Sequence, residues 1–175
     1  NYSFMTANDM NGDGYNYDAI YVPTDAEVES GAFRFVSQDD QDRFMGFLHN
    51  NKSLSKYQGK YAEGYSVYNP WVHRVDFSYK HDFKLNIGST KHTLQLGIDI
   101  KNLLNLFNSS WGVSKTLNSA IGSDARILKY EGVDAQGIAT FSTPSAINAD
   151  TKLFTPLHAL GQCWNMGITV KYIFN

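Results

Sequence analysis

The stretch WNMGITVKYIF, residues 164–174, alternates between two kinds of side chain with a period of two. The odd-numbered positions are mostly small or polar, with Ile173 as the exception. The even-numbered positions are all apolar or aromatic: Trp164, Met166, Ile168, Val170, Tyr172 and Phe174. Successive side chains of a β-strand point to opposite faces, so this alternation predicts a strand between two unlike environments.

The length of this strand indicates which environments these are. Residues 164–174, at about 3.3 Å each and tilted by about 45°, would cover about 25 Å, the height of the apolar band of an outer-membrane β-barrel. Trp164 lies at one end and Tyr172 and Phe174 at the other, where barrels carry aromatic girdles. We therefore predict that residues 162–175 form a terminal membrane-spanning strand whose even-numbered side chains face lipid. A strand of a water-soluble β-sandwich would also alternate, but it would be shorter.

Two earlier segments repeat the pattern. The segment 71–80 places Val75, Phe77 and Tyr79 on its apolar face, and the segment 92–104 places Leu94, Leu96, Ile98 and Ile100 on its own. The residues between them are rich in Gly, Asn, Ser and Thr, which favours a short turn within 84–91. We predict a strand hairpin over 71–104 whose apolar face also contacts lipid.

The remaining segments, 1–70 and 105–161, are too long for simple connections in a compact soluble domain. If the C-terminus is periplasmic, both long segments fall on the extracellular side and the 84–91 turn falls on the periplasmic side, as outer-membrane barrels require. The predicted fold class is all-β: the last antiparallel strands of a large transmembrane β-barrel with two long extracellular loops. Within the loops we predict a short helix near 38–50 and a hairpin near 126–143.

Composition excludes several classes of protein. No run approaches the roughly 18 apolar residues of a membrane-spanning helix. The formal charge of −2 and the absence of a basic stripe give no support for nucleic-acid binding. The single Cys163 cannot form an internal disulfide, and the five histidines show no metal-binding or catalytic spacing. We therefore predict a protein that is not an enzyme and needs no organic cofactor.

The stretch from Asp9 to Asp18 is a candidate calcium site. Asp9, Asn11, Asp13 and Gly14 match the first half of a D-x-N-x-D-G calcium loop, in which alternate oxygens converge on one hard cation. The position that should close the shell with a Glu is Ile20, and the nearby carboxylate is Asp18. The sequence leaves two interpretations open: a Ca²⁺ site made by Asp9, Asn11, Asp13 and Asp18, or a metal-free turn stabilised by Asx and Gly residues.

Several stretches together resemble the C-terminal end of TonB-dependent outer-membrane receptors of the Bacteroidetes, in particular the Oar-like branch with a carboxypeptidase-regulatory-like domain. They are the acidic stretch followed by Ile20-Tyr21-Val22-Pro23, the element Asn69-Pro70-Trp71, the run from Asp99 to Leu106 followed by Trp111-Gly112, and the closing residues 171–175.

The resemblance implies a non-enzymatic barrel segment in the cell outer membrane, whose strands close the barrel and whose extracellular loops contribute to substrate uptake. The partners it implies are membrane lipid, the rest of the receptor barrel and its plug, TonB through an N-terminal part absent here, the barrel assembly machinery, and a surface lipoprotein. No nucleic acid is expected. The alternative is a secreted or surface β-sandwich module that binds calcium and carbohydrate.

Overall fold

The structure, a computed structural model, describes residues 1–122 and 125–174, and within them strands account for most of the regular structure. The strands are β1 (Met5–Ala7), β2 (Asp18–Ala19), β3 (Tyr21–Val22), β4 (Arg34–Phe35), β5 (Lys60–Tyr61), β6 (Phe77–Ile87), β7 (Thr90–Lys101), β8 (Lys115–Leu117), β9 (Arg126–Val133), β10 (Ala139–Ser142), β11 (Phe154–Pro156) and β12 (Asn165–Phe174). The helices are α1 (Asp25–Glu29), α2 (Gln38–Asn50), α3 (Lys52–Ser55) and α4 (Leu103–Phe107), with a 3-10 turn at Leu160–Gln162. In this described part of the chain, no helix is both long and apolar enough to cross a bilayer. The strand-rich class agrees with the all-β prediction.

The chain divides into two compact units. Residues 1–69 and 116–155, here called the core unit, form one, and residues 70–115 and 156–174, the sheet unit, form the other. Most of the two segments predicted as long loops therefore forms a folded unit, while 105–115 and 156–161 belong to the sheet unit. The predicted terminal strand, 162–175, was wrong at its start, because Gln162 ends a 3-10 turn and β12 begins at Asn165. Its last residue, Asn175, lies outside the described residues.

A five-stranded mixed sheet, in the order β2-β1-β9-β10-β4, organises the core unit. The β1–β9 and β10–β4 pairs are parallel and the other two pairs are antiparallel. The antiparallel β9–β10 pair confirms the predicted 126–143 hairpin. At its tip, Oδ1 of Asp134 accepts hydrogen bonds from the backbone N–H groups of Gln136 and Ile138, both at 2.9 Å.

Helix α2 confirms the predicted helix at 38–50 with the same bounds. It begins because the Ser37 side chain accepts a hydrogen bond from the Asp40 backbone N–H, and acidic residues in the first turn favour the positive end of the helix dipole. Its apolar side is buried, with Phe44, Phe47 and Leu48 at 0% exposure. These side chains belong to a hydrophobic core that draws all its buried members from residues 4–67 and 117–147.

A three-stranded antiparallel sheet in the order β12-β7-β6 dominates the sheet unit. The predicted hairpin over 71–104 is present, but its bounds were wrong: β6 runs from Phe77 to Ile87, and residues 71–76 precede it. The turn is only Gly88 and Ser89, since Thr90 already pairs with Ile87. Gly88 has a φ of 62°, the left-handed value that the first central position of a type II′ hairpin turn requires.

Candidate functional site

The register of the three-stranded sheet brings the apolar positions of all three strands onto one face. In antiparallel pairs, directly opposed residues share a face. Phe77 opposes Ile100 and Ile100 opposes Met166, and the next row is Tyr79, Ile98 and Ile168. We call this surface the apolar face; its residues are Phe77, Tyr79, His81, Phe83, Leu85 and Ile87 of β6, Thr90, His92, Leu94, Leu96, Ile98 and Ile100 of β7, and Met166, Ile168, Val170, Tyr172 and Phe174 of β12.

Every charged side chain of these three strands lies on the opposite face, here called the polar face. They are Lys80, Asp82, Lys84, Lys91, Asp99, Lys101 and Lys171. Hydrogen bonds link this face across the strands: Ser78 Oγ donates to Asp99 at 2.6 Å and Gln95 Nε2 donates to Asp82 at 2.8 Å. Lysines outnumber aspartates on it, so the polar face is net positive.

The apolar face is exposed along its whole length. Phe83 is 52% exposed, and Ile168 and Phe174 are each 69% exposed. Contiguous exposed apolar side chains are typical of surfaces that contact another protein, a ligand or a membrane. The two outer strands, β6 and β12, each pair only with β7 among the described strands, so each also presents an unpaired edge of backbone N–H and C=O groups.

The predicted membrane-facing residues are mostly brought together by this sheet. Val75 and Trp164 are the two that lie outside the strands, next to Phe77 and Asn165 respectively. The backbone O of Val75 accepts a hydrogen bond from Leu103 N at 2.7 Å, and Trp164 N donates to Asn105 Oδ1 at 3.1 Å. The prediction missed His81, Phe83, Leu85 and Ile87 on this face. Their signal was in the sequence, because the alternation of 71–80 continues through Ile87 without a break.

Two buried asparagines hold the chain where β7 ends. Asn102, 2% exposed, adopts left-handed backbone angles, and its Nδ2 donates to the carbonyl oxygens of Gly112 at 3.2 Å and Gln162 at 2.7 Å. The Asn102 backbone N–H donates to Asp76 at 2.7 Å. Asn105, 7% exposed, donates to the carbonyl oxygens of Ser109 and Trp111. These bonds satisfy backbone groups that would otherwise be left without partners at this end of the sheet.

Gly112 is required by that arrangement. Its φ is 65°, and a Cβ on it would lie 1.9 Å from Oδ1 of Asn102. Any other residue here would displace the Asn102 amide. Arg74 adds to the junction: its guanidinium donates to the carbonyl oxygens of Gly112 at 3.0 Å and Gly161 at 3.2 Å and to the Gln162 side chain at 2.7 Å.

The four residues of the candidate calcium site are close together in one exposed loop, but their oxygens accept hydrogen bonds from the chain itself. The Asp9 carboxylate accepts from the backbone N–H groups of Gly12 at 2.7 Å and Gly14 at 2.8 Å. Asp18 accepts from Met10 N at 2.6 Å. The Asn11 amide nitrogen donates to Asp13 at 3.1 Å and to Asp18 at 3.0 Å, so it lies between the two carboxylates that a cation would have to bridge.

These contacts have an electrostatic consequence. The backbone N–H groups, above all that of Gly14, hold the pKa of the Asp9 carboxyl below its ordinary value. Within residues 1–122 and 125–174, no three His, Cys, Asp or Glu side chains are placed to hold a metal ion. Calcium binding would require the Asn11 amide to rotate and present its oxygen, and it stays a prediction.

Comparison with known proteins gives no relative from which a function could be inferred, so the functional argument depends on the geometry of the surface. No family model, curated protein or solved structure matches the chain. The feature to be explained is the sheet formed by β6, β7 and β12, which exposes a face without Asp, Glu, Lys or Arg and, among the described strands, two unpaired edges.

Proposed function

We propose that this chain is the C-terminal barrel segment of an outer-membrane TonB-dependent receptor, in which β6, β7 and β12 cross the membrane and close the barrel. The observation that carries the proposal is the separation of the two faces: the apolar face has no Asp, Glu, Lys or Arg, and the polar face has all seven such residues of the three strands. Lipid on one side and a water-filled lumen on the other require this separation in every membrane strand.

Strand length supports the same assignment. The strands β6, β7 and β12 contain 11, 12 and 10 residues, against the 9–11 residues of a tilted membrane strand. The other described strands contain at most 8 residues. Only the sheet with the separated faces has strands of membrane-spanning length.

The unpaired edges of β6 and β12 also fit a barrel. Backbone groups that face hydrocarbon must be paired, so a membrane sheet has no free edge. In the proposed receptor, the edge of β6 pairs with the preceding barrel strand and the edge of β12 pairs with the first strand. The plug, the TonB-contacting part, the barrel assembly machinery and a surface lipoprotein are the further partners of this proposal.

The core unit takes the place of the two long extracellular loops. Its segments, 1–69 and 116–155, lie within the ranges 1–70 and 105–161 that the sequence predicts to be extracellular. In this proposal they contribute to substrate uptake by contacting the substrate, and the chain itself catalyses no reaction.

The alternative, a soluble β-sandwich that binds calcium and carbohydrate, makes a different demand on the sheet. A sandwich buries the inner face of each sheet against a second sheet about 10 Å away. The exposed side chains of the apolar face do not favour this arrangement. The solubility of the chain distinguishes a face that contacts lipid from one that packs on a second sheet.

The experiment compares the full chain in plain buffer with the same chain added to phosphatidylcholine vesicles. Circular dichroism reports strand content, light scattering reports association in buffer, and flotation reports vesicle binding. We expect the chain to associate in buffer through its open edges and apolar face, and to float with vesicles while gaining strand content. A folded monomer in buffer that does not float would overturn the proposal and favour the sandwich.

A further inference from the structure

A small pocket in the core unit has aromatic walls and one charged residue. It has a volume of about 290 Å³, and its walls include the rings of Tyr21, Phe33, Tyr61 and Phe141. Phe33 and Phe141 stack at 4.5 Å between ring centroids, and Tyr61 meets the Tyr21 ring edge-on at 5.3 Å. We call it the aromatic pocket. Among the described residues that line it, Glu27 is the only one that carries a charge.

The Glu27 carboxylate is held in place by neutral donors. Tyr21 Oη donates to Oε1 at 2.5 Å, and the Thr24 backbone N–H and hydroxyl both donate to Oε2 at 2.8 Å. The Thr24 contacts form the capping box of α1 and fix the side chain on its own helix. These hydrogen bonds, with that of Tyr21 first, hold the pKa of Glu27 below its ordinary value, so it is ionised at neutral pH.

Among residues 1–122 and 125–174, the negative charge of Glu27 has no positive partner within ion-pair distance. The ion pairs of the described residues join Arg34 to Asp134, Arg43 to Asp39 and Asp40, His49 to Asp25, and Lys129 to Glu131, and none includes Glu27. Its carboxylate therefore keeps both its charge and one free acceptor site beside the aromatic rings.

The core unit that surrounds the aromatic pocket is also negatively charged. The two segments of the core unit contain fourteen Asp and Glu and eight Lys and Arg, a formal charge of −6, whereas the segments of the sheet unit carry +4. An acidic unit concentrates cations at its surface and steers them toward a site that lacks a counter-ion.

We propose that the aromatic pocket binds the cationic side chain of a peptide, a Lys ammonium or an Arg guanidinium, with Glu27 as the counter-ion and the Tyr21, Tyr61 and Phe33 rings as the walls. Aromatic faces attract cations, and a carboxylate at the end of an aromatic slot completes that recognition. A sugar would need several fixed donors as well as acceptors, and the Tyr21 hydroxyl proton is already given to Glu27. The proposal concerns the core unit alone and stands whether or not the sheet unit lies in a membrane.

The test titrates the full chain, labelled with ¹⁵N, with three capped tripeptides in a detergent that keeps the chain dispersed. The probes are acetyl-Gly-Lys-Gly-amide, acetyl-Gly-Arg-Gly-amide and acetyl-Gly-norleucine-Gly-amide, the last having an apolar side chain without the charge. Glucose serves as a fourth probe. The readout is the chemical-shift change of the Ala32, Tyr61 and Ala139 amides beside the pocket. We expect the Lys and Arg peptides to shift these amides and to bind at least about fivefold more tightly than the norleucine peptide.

Matched variants separate the charge of Glu27 from the fold. Glu27→Gln removes the charge but keeps an acceptor for the Thr24 N–H, since Gln also completes a capping box. Glu29→Gln removes the same charge from the same helix at an exposed position that does not line the pocket. We expect Glu27→Gln to weaken binding of the Lys peptide at least about fivefold and Glu29→Gln to change it less than about twofold. Tyr61→Ala should weaken binding as well, while Tyr68→Ala, which changes another exposed tyrosine, should not.

Each of the other outcomes would overturn the proposal. Equal binding of the Lys and norleucine peptides would show an apolar slot that does not use Glu27. Shifts with glucose and none with the peptides would assign the pocket to a sugar. No shift with any probe at 20 mM, or equal effects of Glu27→Gln and Glu29→Gln, would show that the pocket does not recognise a cation.

Discussion

The core unit and the sheet unit treat their apolar side chains in opposite ways. The core unit buries nineteen hydrophobic residues in one cluster, including Phe44 and Ile127 at 0% exposure. The sheet unit contributes none to the buried hydrophobic set among the described residues, and it exposes its apolar side chains on one face of an open sheet. Burying apolar area is the main favourable term in folding. The core unit gains that term from its own buried cluster, whereas the large side chains of the apolar face of the sheet unit stay exposed.

The two units also differ in their net charge. The acidic side chains are concentrated in the core unit, and the net positive charge of the sheet unit lies largely on its polar face. The overall composition and the net charge of −2 show neither the difference in burial nor the difference in charge between the units. The chain therefore combines an acidic unit with a buried core and a unit with an exposed apolar sheet face and a net positive charge.

The largest expected effect comes from truncating the core. Phe44→Ala should lower the free energy of unfolding of the core unit by about 3–5 kcal/mol, because it leaves a cavity in a packed cluster. The matched change Phe83→Ala, on the apolar face of the other unit, should lower the free energy of unfolding of the core unit by less than about 1 kcal/mol, since Phe83 lies outside the buried cluster. Urea titration of the chain dispersed in a mild detergent, followed by the amide resonances of the core unit, measures both. Equal costs would mean that Phe83 packs in the buried core as Phe44 does, which would contradict the contrast between the two units.

The next effect concerns the apolar face in lipid. If β12 spans a membrane as proposed, Ile168→Arg, near the middle of the strand, should destabilise the proposed barrel by about 2–4 kcal/mol, because a charge would face hydrocarbon. Thr169→Arg adds the same charge one residue away on the polar face and should cost far less. The fraction folded in bilayers as a function of urea gives both values. If the two variants behave alike, the assignment of the faces to lipid and lumen fails.

Acid should weaken the core unit. Tyr21 and Thr24 hold the pKa of Glu27 low by hydrogen bonds, and the Ile138 and Gln136 N–H groups and Arg34 do the same for Asp134. Because these pKa values are lower in the folded state, their stabilisation is complete above the ordinary carboxyl range of about 4 and is lost as the pH falls through the folded values. The urea concentration at which half of the core unit is unfolded, followed by its amide resonances, should decrease as the pH is lowered from 6 to 3. A midpoint that stays constant or rises would contradict these shifts.

The smallest effect is the one that would decide the calcium prediction. If Asp9, Asn11, Asp13 and Asp18 bind Ca²⁺, millimolar calcium should slow proteolysis of the 9–18 loop, and magnesium at the same concentration should not. Asp13→Asn would remove one ligand charge and reduce the protection. Unchanged cleavage with calcium would leave the loop as a turn held by Asp9 and the Gly12 and Gly14 N–H groups.

Local patterns were enough to predict several elements of the fold. The period of two in residues 164–174 predicted β12 and its faces, and the acidic start and apolar spacing of residues 38–50 predicted α2 with its bounds. The start of β6 was not predictable from alternation alone. Val75 follows the same pattern as Phe77, but its carbonyl oxygen accepts a hydrogen bond from the backbone N–H of Leu103. This contact joins residues 28 positions apart, so no local pattern predicts it.

The core unit was missed for the same physical reason. Its central sheet joins β1 to β9 and β10 to β4 in parallel pairs, which lie about 100 or more residues apart in the chain. These strands are short, from two to eight residues, so each carries little periodicity of its own. Glu27 and the aromatic pocket were missed because their lining comes from four separate segments that only the folded core unit brings together.

A spin-label scan of β12 tests most directly whether the apolar face contacts lipid. Cys163 is the only cysteine, so Cys163→Ser provides a background in which positions 166 to 173 can be changed to cysteine one at a time and labelled with a nitroxide. When the chain is bound to vesicles, a lipid-facing apolar face predicts that the nitroxide collides most often with oxygen at 166, 168, 170 and 172. It should collide most often with a water-soluble nickel complex at 167, 169 and 171. Uniform accessibility to the nickel complex, or no alternation with a period of two, would contradict a lipid-facing apolar face.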